Sequence, residues 1–463
     1  MICKNVEQPI YDAISKMPLL RRGSKGGLII RKHYKRKHPY GDLALRVLGY
    51  SNAHRKIGIE GAFDSIIRGI EGVSIVKSTN ILGTRFRQQK LETESQDGVD
   101  IHTTLAIPIQ KIVDHALRSN ISKDSIIAGG AVTVMDVKTG AIKAMSNISW
   151  FRPNETLGEY YNIAIGYAFE PGTVLGCATL AAYINDTSCS DITYTLDSGE
   201  WQPQFAINKF RKLDNAANPD RFKFCHKLIF DAENAQMTIL DGVCKSNPYI
   251  LSGLALYHSG RLPLYIKFLE EISLTEHINF DIEGLRHPEI AQLGITDDYN
   301  YFLGTLGCGY GIKMSQLHIL TFYNMIANDG IKVNPYIVAS PKTINSTNRN
   351  QKKILPPEYD ETIDALKSLM RTAVAEGHCG ITGKAKDEMA GVAGHGFQYL
   401  CEENNYIDAE GKRSWNSTFV GYFPVENPRY SIICTIVTKR TNNSYPGNEL
   451  PAKIVSEIYD ALH

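Results

Sequence analysis

No stretch of this 463-residue chain approaches the ~18 consecutive apolar residues that a membrane-crossing helix needs. The opening Met1-Ile2-Cys3-Lys4-Asn5 lacks the charged-then-apolar grading of an export signal. The sequence therefore reads as one that neither spans a bilayer nor carries a signal. Nine widely spread cysteines contain no Cys-x-x-Cys pair, and there is neither a His-Glu-x-x-His motif nor a Gly-rich phosphate loop. A disulfide framework, a metal site and a bound cofactor have no support at this level. An excess of either charge is also missing: 50 Lys+Arg face 49 Asp+Glu, leaving a formal +1. That excludes whole-molecule attraction to nucleic acid or acidic lipid. The local exception is Arg21 to Gly41, with eight Lys and Arg and no acid, which reads as a solvated face or a patch for an anionic partner.

What is present is the mix of a globular protein, 43% hydrophobic and 21% charged, with length for two or three domains at roughly 100–200 residues each. Residues 1–98 are polar, basic and Gly-rich, and they end in a run from Gln88 to Gly98 without apolar periodicity, a linker or exposed hairpin. A boundary is placed there. Beyond it, helical spacing covers Ile107 to Leu117, and two strands (Ala131–Val137, Ala141–Met145) flank the turn Lys138-Thr139-Gly140. An apolar helix is expected over Thr173–Ile184, then an irregular stretch over 186–230. Helices follow over Asn234–Val243, Tyr249–His258, Leu262–Ile272 and Tyr359–Ala375, with a solvated loop at 343–353. Strands return at Phe419–Phe423 and Tyr430–Thr438, and Pro451–Leu462 is a terminal amphipathic helix. This order predicts an α+β domain whose first and last segments share an antiparallel sheet flanked by helices.

Ala131 to Met145, Tyr161 to Tyr167, Phe169-Glu170-Pro171-Gly172, Ser246-Asn247, Gly309-Tyr310-Gly311, Ala390-Gly391 and Phe419 to Pro424 stand in an order that resembles penicillin-binding protein transpeptidase domains, over about residues 99–463. Arg36 to Tyr50 and Gly58 to Asp64 resemble the non-catalytic, dimerisation-like pedestal of the class B, division- or elongation-type members. The resemblance implies the serine β-lactamase-like fold with a truncated pedestal at 1–98. Such relatives carry a membrane anchor and work in the periplasm. This chain shows no anchor or signal, which points to cytoplasm or to an incomplete N-terminus.

The family's acyl transfer needs a nucleophile, a base and an oxyanion site. In its Ser-x-x-Lys motif the three-residue separation puts amine and hydroxyl on one helix face. Here the nucleophile position after Glu-Pro-Gly is Thr173 and the lysine position is Gly176, and no Lys occurs between Lys143 and Lys209. The Ser-x-Asn triplet reads Lys245-Ser246-Asn247, so Lys245 stands at the lost serine and Asn247 survives as a substrate contact. The Lys-Thr-Gly strand reads Val392-Ala393-Gly394, followed by His395. Lys138-Thr139-Gly140 spells that motif but sits in a turn ahead of the nucleophile, and Thr382-Gly383-Lys384 is a loop resemblance without a mechanism. Cys177 reads as core rather than as a replacement nucleophile.

The resemblance thus implies a peptidoglycan-synthesis or cell-division protein whose chemistry is erased: a pseudoenzyme that binds or acts as a scaffold among cell-wall synthesis and division proteins. Two other readings are a weak D,D-transpeptidase, carboxypeptidase or esterase using Thr173, with His395 as a conceivable base, and non-covalent recognition of a stem peptide or β-lactam through Asn247, Gly394 and His395. No cofactor, metal or nucleic-acid partner is implied.

Overall fold

The computed structural model describes residues 6–28, 36–70, 72–81, 84–151, 155–187, 239–257, 262–292, 299–340, 352–397, 412, 414–441 and 449–463. Residues 188–238, and with them most of the stretch read as irregular and the start of the helix expected from Asn234, lie outside these, as do residues 29–35 of the basic run and 343–351 of the solvated loop. The chain forms two units, Met1–Gly41 and Asp42–His463. In the first, Pro9 opens helix α1 (Gln8–Ser15) at a position where a missing N–H costs nothing, and a 3-10 segment follows over Leu20–Gly26.

In the second unit the run ending at Gln88–Gly98 supplies the far strand of a hairpin, β1 (Val73–Ile81) with β2 (Thr84–Thr93). After helix α2 (Ile107–Ile121), strands β3 (Ile127–Asp136) and β4 (Ile142–Phe151) pair antiparallel through the turn at 137–139. That turn is Lys138-Thr139-Gly140 itself. Thr139 donates its hydroxyl to Asp136 at 2.6 Å, and Gly140 takes φ +79°, so the triplet is turn chemistry. Then come β5 (Thr156–Gly158), the short helix α3 (Ile163–Gly166) and β6 (Ala168–Phe169). The helix expected over Thr173–Ile184 begins instead as a 3-10 turn (Gly172–Leu175) that passes into α4 (Gly176–Thr187), because the corner before it must fit beneath a strand.

The helical lobe contains α5 (Ile239–Cys244), α6 (Pro248–Tyr257) and α7 (Leu262–Glu271). Strand β7 (Glu289–Ile290), helix α8 (Tyr299–Gly307), strand β8 (Ile312–Ser315) and helix α9 (Gln316–Ala327) follow. The last residues of the expected solvated loop are not loop: β10 (Lys352–Ile354) pairs with β9 (Ile331–Val333), and Lys353 donates to Ser273 Oγ at 2.8 Å. Helix α10 (Asp360–Ala375), strands β11 (Ala390–Phe397), β12 (Trp415–Phe423) and β13 (Tyr430–Thr438), and helix α11 (Glu449–Leu462) complete the chain.

The main sheet runs β11-β12-β13-β3-β4-β5, antiparallel throughout, so the early hairpin and the late strands do share it. Its faces are covered by different helices. A Cβ at Gly130 would meet Leu117 of α2, whereas Thr133, of opposite parity, donates to Gln316 of α9 at 3.0 Å. Asn120 joins α2 to α11 by donating to Glu457 at 2.7 Å. Strand β11 is the sheet's edge, and the 3-10 turn with α4 lies against it. Among the described residues, no helix is long and apolar enough to cross a membrane.

Candidate functional site

The corner Glu170-Pro171-Gly172 is built by close approach of backbones. Gly172 has φ +61°, and a Cβ there would overlap the carbonyl oxygen of His395 on β11. Its N–H donates to the Gly309 carbonyl at 3.0 Å, and Gly309, at φ +78°, opens in turn onto Gly172. Only glycine lets three main chains meet this closely. Glu170, buried beside them, accepts the Gly311 N–H on Oε1 at 2.9 Å and so fixes the corner to the loop before β8.

This corner presents Thr173 to the edge strand. Thr173 is 4% exposed, and its hydroxyl oxygen accepts the backbone N–H of His395 at 3.3 Å. Among the described residues, no lysine ammonium bonds to that oxygen. Strand periodicity then decides where the His395 ring lies. A Cβ at Gly394 would sit 2.7 Å from Thr173 Oγ1, so that face of β11 looks at the hydroxyl, and the next side chain leaves from the other face. The His395 ring accordingly lies near Trp415, centroids 6.2 Å apart, and burial pushes its pKa down to about 4, leaving it neutral at pH 7. Contact between His395 and Thr173 is through main chain, not imidazole.

The position three residues on is filled by hydrocarbon. A Cβ on Gly176 would meet Leu251 Cδ2 at 3.1 Å and Cδ1 at 3.3 Å, with Val243 Cγ1 at 3.5 Å. Lys245 turns to the surface, its ammonium 3.4 Å from Asp241 one turn back on α5, both side chains well exposed. Asn247 serves the main chain: its N–H donates to Gly242 at 2.7 Å and its Oδ1 accepts Ile250 N–H at 3.4 Å at the start of α6. Val392 and Ala393 are buried apolar residues, 5% and 3% exposed. Cys177 is 1% exposed, and burial pushes its thiol up to about 12, far from a thiolate at neutral pH.

Sequence reading missed Ser246. At φ +54°, it donates its hydroxyl to the Ala393 carbonyl at 2.6 Å, so the helical lobe is pinned to the edge strand across the cleft. The signal lay within the degenerate triplet, but a hydroxyl's partner is a tertiary fact. Ser246→Ala is expected to cost about 1 kcal/mol in chemical denaturation, with the two-state slope unchanged.

The Thr173 oxygen accepts the His395 N–H, and among the described residues no side-chain base bonds to it. Removal of a general base typically costs about two to four orders of magnitude in rate. Asp241, Glu376 and His378 bring one ligand atom each within 4.8 Å of one another, but Asp241 already faces Lys245, and Glu376 faces His378 at 2.9 Å.

Comparison with known proteins adds descent to this geometry. A family model described as the penicillin-binding protein transpeptidase domain matches residues 130–222 and 289–460, more than half of the chain. The penicillin-binding protein PbpB of Mycolicibacterium smegmatis is 25% identical over 450 residues, which cover 89% of this chain and 62% of that protein. The peptidoglycan D,D-transpeptidase FtsI of Escherichia coli is 21% identical over 462 residues, 96% of this chain and 69% of that protein. The chain therefore spans under two thirds of the first of these relatives. A peptidoglycan synthetase from Bifidobacterium adolescentis superposes with a TM-score of 0.67 at 16% identity, over 96% of this chain and 77% of that one. Penicillin-binding protein 3 of Mycobacterium tuberculosis, complexed with aztreonam, gives 0.61 at 18% identity over 92% and 90%. These structural likenesses establish the same fold.

Proposed function

The chain belongs to the penicillin-binding protein transpeptidase family, and from that premise we propose that it is a catalytically inert member that acts by binding, as a scaffold in peptidoglycan synthesis or division. The observation that carries this reading is at Gly176: the space a lysine would need holds Leu251 and Val243. In this reading Thr173 stands at the nucleophile position, Gly176 and Lys245 at the lost base and shuttle, and Val392-Ala393-Gly394 at the edge-strand triplet. Residues 1–98 form a pedestal segment joined to a transpeptidase-like domain at 99–463, and the partners are other cell-wall synthesis or division proteins.

The buried Thr173 and the Ser246–Ala393 bridge weigh against turnover by Thr173 and also against a stem peptide or β-lactam settling beside Asn247. Incubation with a fluorescent penicillin is expected to leave the protein unlabelled under denaturing electrophoresis. A labelled band that disappears in Thr173→Ala would overturn the proposal.

A further inference from the structure

Three histidines from distant parts of the chain stack into a column beside β8. His277 and His287 lie face to face with ring centroids 3.5 Å apart and planes 25° from parallel, and His287 meets His318 edge-on at 5.9 Å. The column runs from an exposed ring through a half-buried one to His318 on α9, which is 1% exposed. His318 Nδ1 shares a hydrogen bond with Ser315 Oγ at 2.8 Å. His287 Nδ1 and His318 Nε2 are buried and make no hydrogen bond among the described residues.

The charges around the column give a proton nowhere to be balanced. Glu276, beside His277, has its carboxylate 2.8 Å from the Lys332 ammonium of β9 and 3.9 Å from that of Lys353 on β10, so it is already matched by two cations. Lys332 is 4% exposed, and its charge acts against protonation of His318. Asp281 is occupied by the N–H groups of Ile337 and Val338, at 2.8 and 2.9 Å. On β7 and β8, Glu289 stands opposite Lys313, and Arg286 adds a further positive charge next to His287. Burial first, and the neighbouring rings and Lys332 after it, push His318 down to about 3, with the Glu276 backbone opposing weakly; burial and then His277 lower His287.

We propose that the His277–His287–His318 column is an acid-sensitive latch, which holds the segment 273–290 against β8 and α9 while His287 and His318 are uncharged and releases it when they take up protons. A charged His287 would lie against the His277 ring on one side and edge-on to His318 on the other, with no carboxylate bonded to it among the described residues. The latch bears on the corner described above. Ser315, which holds His318, pairs with Ala168 of β6 five residues before Thr173, and Ile290 pairs with Ile312. Loosening β7 and β8 therefore loosens the sheet β7-β8-β6 from which the Glu170–Thr173 corner projects.

Because the folded pKa values lie below the ordinary 6.5, this stabilisation is fully present above pH 6.5 and is lost as pH falls through the folded values. Each proton taken up only on unfolding changes the folded-to-unfolded ratio about tenfold per pH unit. Denaturant titrations of the full chain at pH 7.5, 6.0 and 5.0 test this against His287→Phe, which keeps a flat ring in the stack but cannot be charged. The parent is expected to lose up to about tenfold more of its folded-to-unfolded ratio per pH unit than the variant below pH 6. Parallel pH profiles would overturn the proposal. If His287→Phe does not fold, His318→Phe at the buried end gives the same comparison. Limited proteolysis of the parent is an independent readout: cleavage within 273–290 that appears at pH 5 and not at pH 7.5 supports the latch, and equal protection at both pH values counts against it.

Discussion

Placing a lysine at position 176 is expected to destabilise the protein by about 4 kcal/mol or more and to restore no acylation. The first side-chain carbon alone sits at 3.1 Å from Leu251, so Gly176→Ala already requires Leu251 to give by a few tenths of an ångström. Four further heavy atoms ending in an ammonium have to enter a space held by Leu251 and Val243, 0% and 3% exposed. Overpacking of this kind costs about 1–3 kcal/mol, and an unpaired buried charge adds several more. Thr173→Ser with Gly176→Lys is therefore expected to remain unlabelled by fluorescent penicillin and to unfold at lower denaturant than Thr173→Ser alone. Trimming Leu251 to Ala would make room, at a cavity cost of about 2–5 kcal/mol. Gly176 is thus embedded in packed core. A doubly substituted protein that labels and keeps the parent's stability would show that the space is available after all.

The second large effect concerns Glu159, where stability is expected to fall by about 3–5 kcal/mol between pH 4.5 and 9. Glu159 is 7% exposed, in the segment between β5 and α3. Its Oε2 accepts the Arg46 N–H at 2.7 Å and Oε1 accepts the Asn147 N–H at 3.2 Å, tying the short helix Leu45–Leu48 to β4. Burial pushes its pKa up to about 8 against the pull of these two donors, with Asp114 adding repulsion. A carboxyl whose folded pKa is raised contributes stability that is fully present below pH 4.5 and is lost as pH rises through about 8. Glu159→Gln keeps one acceptor and cannot ionise, so its stability is expected to be lower than the parent's near pH 5 and flatter up to pH 9. Denaturation midpoints across that range check this, and identical slopes for the two proteins would exclude Glu159 as the titrating group. The histidine column acts in the opposite direction at lower pH, and each substitution leaves the other group in place, so the two contributions separate.

Retention of the corner is a matter of main-chain packing. Gly172, Gly309 and Gly394 are fixed by main-chain contacts between β11, the 3-10 turn and the loop before β8, and those contacts do not depend on what Thr173 can do. Around it stand Gly176 against a packed Leu251, an outward Lys245 and a buried Val392.

Several elements were legible because their pattern repeats locally. Short runs of strand-forming apolar residues in Ala131–Val137 and Tyr430–Thr438 and one apolar face in Pro451–Leu462 pointed to the shared sheet and the helix packed on it. Helix α9 escaped because every residue from Gln316 to Ala327 is buried, and a helix enclosed on all sides has no polar face to mark its period. For Gln88–Gly98 the sequence left linker and exposed hairpin both open, and the pairing with Val73–Ile81 decides for the hairpin, since two-stranded pairing is settled by the partner strand.

By itself the sequence determined the family, the α+β class and the presence of Thr173 and Gly176 after the Glu-Pro-Gly corner, because each is a matter of residue type in a fixed order. Only the tertiary structure decided that hydrocarbon fills the base position, that the His395 ring faces away from Thr173, that Ser246 bridges the cleft, and that three histidines separated by up to forty residues stand in one column. Pairing, burial and direction arise from contacts between segments remote in the chain, and no local pattern encodes which surface a side chain will meet.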